Sequence, residues 1–127
     1  MADTKPRLGA TVPVLRSFDE ALSRAFYIDF LGFEVEFEHR FADNTPLYMG
    51  LKLGDCRLHI TEHFGDACPG AQIRIATGDV VSYMRTLSVK RYKHANPGDQ
   101  FEPTPWGTIE VTITDPAGNK LTFVHEA

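Results

Sequence analysis

The sequence predicts an α+β domain built from two βαβββ modules. They form a curved mixed sheet with one helix per module on its outer face. Three observations carry this. Short alternating runs such as "FEVEFEH", "CRLHIT", "AQIRIAT" and "TIEVTIT" read as strands. Two stretches with helical spacing, "FDEALSRAFYIDF" and "DVVSYMRTLSV", interrupt them. The order β-α-β-β-β then occurs twice, over about 8–63 and 71–127, within a single domain of 127 residues. Each three-strand return over one helix covers one sheet face, and two such units enclose a hollow between their uncovered faces.

Taken in order, "ATVPVLRS" is a strand, and Pro13 inside it predicts a sheet edge or a crossover to another subunit, because proline cannot donate to a ladder. Ser17 with Glu20 three residues on forms a capping-box signature. It opens a helix over about Phe18 to Phe30, with Phe18, Ala21, Leu22, Ala25 and Phe26 at helical spacing and Gly32 as the stop. From Glu34 the chain alternates, with Val35, Phe37 and His39 on one side and Glu34, Glu36 and Glu38 on the other. "LYMGLKLG" and "CRLHITEH" are strands around a turn at Gly54-Asp55, and "FGDACPGA" is loop. In the second module Asp79 is the N-cap of a helix that buries Val80, Met84 and Leu87. "RYKHA" reads as a short strand and "NPGDQFEP" as loop. The final two strands flank "DPAGN", where Pro116 pre-sets a turn and Gly118 or Asn119 takes positive φ.

Composition narrows the function classes. Apolar residues make up 43%, and no tract approaches the ~20 apolar residues of a membrane span. The net charge is −4, from 17 acidic and 13 basic residues, with no Lys/Arg run, which argues against nucleic acid and an anionic membrane. The short polar stretch Met1–Arg7 has no signal-peptide core, so the expected location is cytoplasmic. Cys56 and Cys68 form no C-x-x-C pair and suit a reducing compartment as free thiols.

Strand parity sorts the faces. Leu58 and Ile60 oppose Arg57, His59 and Thr61; Ile73 and Ile75 oppose Gln72 and Arg74; Ile109, Val111 and Ile113 oppose Thr108, Glu110 and Thr112. The apolar parity covers the helices, and the polar parity of a one-sided sheet is ordinarily wet. Trp106, the only tryptophan, has the parity of Thr108 and Glu110. A large aromatic on a nominally wet face calls for a dimer contact or a ligand, and Gly107 beside it leaves the backbone open to close approach.

Catalytic patterns are sparse. Glu110 is a candidate general base, but pairing with Arg57 or Arg74 on the same face is the simpler role. His59 and His63 share a strand face, yet stand ~14 Å apart on an extended chain. His39, His94 and His125 show no ligand spacing, and His125, near the chain end, is expected in solvent. No nucleophile elbow, P-loop or dinucleotide fingerprint occurs, and neither cysteine has a recognisable base partner.

"VPVL", "LGF", "PWG" and "DPAGN" followed by "FV" stand in an order and spacing that resembles the glyoxalase/bleomycin-resistance (vicinal oxygen chelate) superfamily, and most of all its bleomycin-resistance proteins. The resemblance spans nearly the whole chain. It implies that metal-enzyme ligand positions fall at Val12, His59, Gln72 and Thr122, of which only His59 is an ordinary ligand, so no metal and no cofactor are expected. It implies a ligand cleft between two subunits of a homodimer, lined by Trp106, Phe41 and Tyr48, with Glu110 supplying charge and His59, Gln72 and Arg57 supplying hydrogen bonds. The implied ligand is a planar, cationic antibiotic of the bleomycin type. Pro13 then marks exchange of the first strand between subunits. The alternative is a metal-dependent glyoxalase-like lyase or dioxygenase with an atypical site.

Overall fold

The computed structural model describes residues 4–93, 95, 97 and 101–127. The first module supplies one sheet. β1 (Val14–Arg16) runs parallel to β4 (Cys56–Thr61), which pairs antiparallel with β3 (Tyr48–Leu53), which pairs with β2 (Glu34–His39), giving the order β1-β4-β3-β2. The second module repeats the scheme with β5 (Gln72–Ala76) parallel to β7 (Lys120–Glu126) and β6 (Thr108–Thr114) antiparallel to β7, in the order β5-β7-β6. The first strand of each module thus lies beside and parallel to its last, so the chain between them has to cross over the sheet. β1 is an edge strand, and the Pro13 carbonyl accepts from the His59 amide at 2.9 Å, extending the parallel ladder where no proline donor is needed.

The first helix departs from its predicted form. Asp19, not Ser17, is the N-cap and accepts from the Leu22 amide at 3.0 Å. The Ser17 hydroxyl is buried and shares a 2.6 Å hydrogen bond with the Ser23 hydroxyl instead of capping the helix end. The helix α1 (Glu20–Arg24) passes directly into a π-helical turn, Ala25–Phe30, in which the Leu31 amide donates five residues back to the Phe26 carbonyl. That wide turn buries Phe26, Tyr27 and Phe30, while Phe18 and Leu22, expected on the buried stripe, stay exposed. Gly32 closes the segment at φ 96°.

The alternation in β2 is also misleading. A bulge between Val35 and Phe37 shifts the register, so Val35 shares a face with Leu51 while Phe37 pairs with Gly50 and His39 with Tyr48 on the opposite face. Glu38 joins the helix side, where it pairs with Arg24, and Glu36 joins the open side, where it pairs with Arg57. The predicted strand at "RYKHA" does not form over its described residues. Arg91 takes φ 52° and the Tyr92 ring stacks on Phe30 at 4.6 Å, folding the chain down onto the first helix; His94 lies outside the described residues.

α2 (Val80–Ser88) follows the sequence closely. Asp79 caps it by accepting from the Ser82 amide, and Val80, Met84 and Leu87 are buried. His125 is not in solvent as expected. Its Nδ1 accepts from the Val80 amide at 2.7 Å and satisfies a second orphan donor at the start of α2.

One apolar core runs through both modules, from Leu15 and Phe26 to Leu121 and Phe123. Polar ties reinforce it. The Tyr83 hydroxyl donates to the Leu31 carbonyl, and Lys90 Nζ donates to the carbonyls of Asp29 and Phe30, which caps the π-helical turn from the other module. The buried turn residues Asp115 and Asn119 join Tyr27, Arg16 and Ala71. With the helix side filled, the other sheet faces are left open.

Candidate functional site

On the second sheet the open face carries Gln72, Arg74, Glu110, Thr112 and Thr122, as parity demands. Trp106 enters this face from the turn before β6 and is 67% exposed. Gly107 takes φ 87°, a conformation that turns the chain from Trp106 into the strand at no Cβ cost. The indole is not loose. Its Nε1–H donates to Glu110 Oε2 at 2.8 Å, and the Thr108 hydroxyl donates to the same oxygen at 2.7 Å. Arg74 grips the carboxylate with two hydrogen bonds, 3.0 Å to Oε1 and 2.8 Å to Oε2. Glu110's partner is therefore Arg74; Arg57 pairs with Glu36 on the other sheet at 3.1 Å.

These donors hold the Glu110 carboxyl down to about 2, with Arg74 contributing most and Trp106 and Thr108 next. A depressed carboxyl keeps its charge, and the contacts that charge supports, at every pH above the ordinary carboxylate range; they are lost only as pH falls through the folded value. In a pH titration followed by carbon-13 NMR, the Glu110 carboxyl is expected to move near pH 2, well below the ~4.3 of a free glutamate. A midpoint at the free value contradicts the network.

On the first sheet the open face holds an aromatic and imidazole set. Tyr48 Oη and His59 Nδ1 are 2.8 Å apart, and their rings meet edge to face at 5.3 Å. Burial, with the nearby Asp66 carboxylate, pushes the Tyr48 phenol up. Phe37 lies parallel to Tyr48 at 6.2 Å and edge-on to His59 at 5.1 Å. Phe41, 79% exposed, sits between His39 (4.8 Å) and His63 (5.9 Å) at the rim.

Phe37 and Arg74 were not singled out as site residues from the sequence, although Gly50 was a usable signal, being a glycine in the middle of a strand. A Cβ at Gly50 would lie 2.2 Å from Phe37 Cε1, so the ring occupies the space a side chain would need. Because Phe37 is 42% exposed, it has room to swing away. Gly50→Ala is therefore expected to cost only about 1 kcal/mol of stability while stripping the Phe37 ring-current shift from the His59 ring protons in proton NMR. An unchanged His59 spectrum contradicts this placement.

The candidate residues thus fall into two sets. His59, Tyr48 and Arg57 stand on the first sheet, with Phe41 in the loop just after β2; Trp106, Glu110 and Gln72 stand on or beside the second. Among the described residues, Trp106 has no ring partner. A cleft of about 530 Å³ runs between the sheets, with Arg57 on one wall and Arg74 on the other, beside Val12, Cys56 and Ile75. Burial raises the Cys56 thiol, which disfavours the reactive thiolate, and both cysteines are free.

The donor chemistry does not suit a metal centre. Of Val12, His59, Gln72 and Thr122, the first has no side-chain donor, Thr122 shares a hydrogen bond with Thr112 at 2.7 Å, Gln72 is a weak oxygen donor, and only His59 is an ordinary ligand. Among the described residues, no group of three or more His, Cys, Asp or Glu side chains is placed to hold an ion.

Comparison with known proteins places this architecture. The bleomycin-binding protein of bleomycin-producing Streptomyces verticillus, solved with copper(II)-bleomycin, is 28% identical with a TM-score of 0.68, over 94% of this chain and 97% of its own. A bleomycin-binding protein solved with bleomycin is 24% identical with a TM-score of 0.70, over 94% of this chain and 100% of its own. An antibiotic-binding protein from Streptomyces sp. CB03234 is 20% identical with a TM-score of 0.71, over 97% of this chain and 99% of its own. At their identities, the last two speak for the fold. No curated protein matches the chain. The family model described as "Glyoxalase superfamily protein" matches residues 5–127. With that match over almost its full length and a doubled module whose first strand lies beside its last, the chain belongs to the glyoxalase superfamily.

Proposed function

We propose that this chain is a metal-free binding protein that sequesters a planar, cationic antibiotic of the bleomycin type in the cytoplasm. The observation that carries the proposal is Trp106: an indole 67% exposed, held by its nitrogen on the open face of a sheet, with no ring partner among the described residues. Stacking on such a ring contributes roughly 0.5–1.5 kcal/mol beyond burial and suits flat heteroaromatic ligands. The Streptomyces verticillus relative, which binds copper(II)-bleomycin, supports the ligand class. The net charge of −4 favours a cationic compound at long range.

The ligand cleft in this reading is formed between two copies of the chain and is not the cleft between the sheets of one copy, which Trp106, Tyr48 and His59 do not line. The aromatic set of the first sheet and Trp106 stand on different sheets, and each leaves apolar surface open that a second copy covers. Residues 4–11 are exposed and outside any strand, with Leu8 87% exposed, which suits an arm that reaches the partner, while β1 itself pairs with β4 of its own module.

The chemistry of the site disfavours the enzymatic alternative, a lyase or dioxygenase. A carboxylate held near 2 and already accepting from Arg74, Trp106 and Thr108 is a poor general base at neutral pH. His59 alone is a poor metal site. Isothermal titration with metal-free bleomycin tests the proposal. Saturating heat at micromolar ligand is expected, and no heat at high micromolar ligand counts against it. Stoichiometric metal in the purified protein would favour the enzyme.

A further inference from the structure

We propose that Arg74 and Glu110 are positioning residues that lock the Trp106 indole as a fixed stacking plate, and that the part of the ligand lying on it is an uncharged flat ring. This rests on the binding function proposed above, and it reassigns Glu110 from ligand contact to support.

The geometry is specific. Glu110 Oε2 accepts three hydrogen bonds, from Arg74 Nη2, Trp106 Nε1 and Thr108 Oγ1, and Oε1 accepts a fourth from Arg74 Nη1. Three donors saturate Oε2, and the one lone pair left on Oε1 lies beside the Arg74 guanidinium, whose charge repels an ammonium or guanidinium on a ligand. Its side chain is 13% exposed, shielded by Arg74 at 56%. Arg74 also answers its charge and, at 56% exposed against 13%, is the more outward of the pair, which offsets the attraction of the indole π-face for a cation. The indole N–H is equally committed, which leaves the ring's π-face as the only recognition element of Trp106. Two further hydrogen bonds steady the hinge: the Thr104 hydroxyl accepts from the Thr108 amide at 3.0 Å, and the Gly107 amide donates to the Thr104 carbonyl at 3.0 Å. A side chain 67% exposed ordinarily samples several rotamers; here its polar atom is tied two strand positions along the same face. Holding the ring before binding removes the entropy cost of ordering it afterwards.

Because Trp106 is the only tryptophan, its fluorescence reads the plate without any ligand. Time-resolved anisotropy of the ligand-free protein is expected to decay only at the tumbling time of the whole molecule. Glu110→Ala should add a fast sub-nanosecond component, and Glu110→Gln, which keeps an acceptor for the indole, should largely restore the slow decay. Circular dichroism confirms that both variants are folded. A fast component already present in the wild type, or a slow decay unchanged in Glu110→Ala, overturns the plate. The ring class is read with acridone, which is neutral, and 9-aminoacridine, which is cationic. Acridone should bind at least as well, and Glu110→Ala should weaken it about 3- to 10-fold. A tenfold preference for the cation that disappears in Glu110→Gln overturns the uncharged-ring assignment. Failure of the wild type to bind bleomycin or either acridine, with anisotropy as expected, refutes the binding function while upholding the fixed indole.

Discussion

Asp115→Ala is expected to remove about 3–5 kcal/mol of folding stability, since it strips the partner from several buried donors at once. The Asp115 carboxylate accepts from the Tyr27 hydroxyl at 2.6 Å, the Ala117 and Asn119 amides at 2.9 and 2.8 Å, and Asn119 Nδ2 at 2.9 Å. Tyr27 is fully buried, and burial with the adjacent carboxylate pushes its phenol far up, so it stays a neutral donor. Without Asp115 that donor is orphaned in the core. The loss spreads further, because Asn119 also donates to the Arg16 carbonyl and accepts from the Ala71 amide, which ties the last hairpin to β1 and to the entry of β5. Thermal melting followed by circular dichroism should show a drop of about 10–20 °C. Tyr27→Phe should recover part of it, because the orphaned hydroxyl is then absent. A drop of under ~3 °C contradicts this role for the turn.

Trp106→Ala should have the opposite profile. With the side chain largely exposed, the fold is expected to lose no more than about 0.5 kcal/mol. Binding of bleomycin should weaken by about 2–4 kcal/mol, a loss of roughly 30- to 1000-fold, as for an aromatic anchor at the centre of a contact. Calorimetric titration of the variant beside the wild type measures it. The contrast between the two variants separates the parts of one C-terminal stretch: "DPAGN" holds the modules together, and "PWG" is the part proposed to face the ligand.

The placement of Trp106 was legible in the sequence because it needs only a period of two carried from Glu110 back through Thr108. α2 was legible for a similar reason: its N-cap Asp79 and its buried stripe agree with each other. Three features were not. The β2 alternation is regular on paper, but a bulge is a property of pairing with β3 and leaves no mark in β2 itself. The π-helical turn puts Tyr27 into the core because Asp115, 88 positions away, receives its hydroxyl, and a local pattern carries no such information. The partner of Glu110 stayed open between Arg57 and Arg74 because both share its face. Sheet order decides it: β5 and β6 flank β7, while β4 lies in the other sheet. In each case the missing information was a strand or helix contact distant in sequence.

The central claim is that the exposed face of the Trp106 indole receives the ligand. A crystal structure of the protein grown with bleomycin tests it most directly. The expected result is density for a flat ring lying about 3.5–4 Å above the indole, with Glu110 still held by Arg74. Bleomycin bound elsewhere, with the indole face open to water or covered by the protein's own side chains, would contradict the claim.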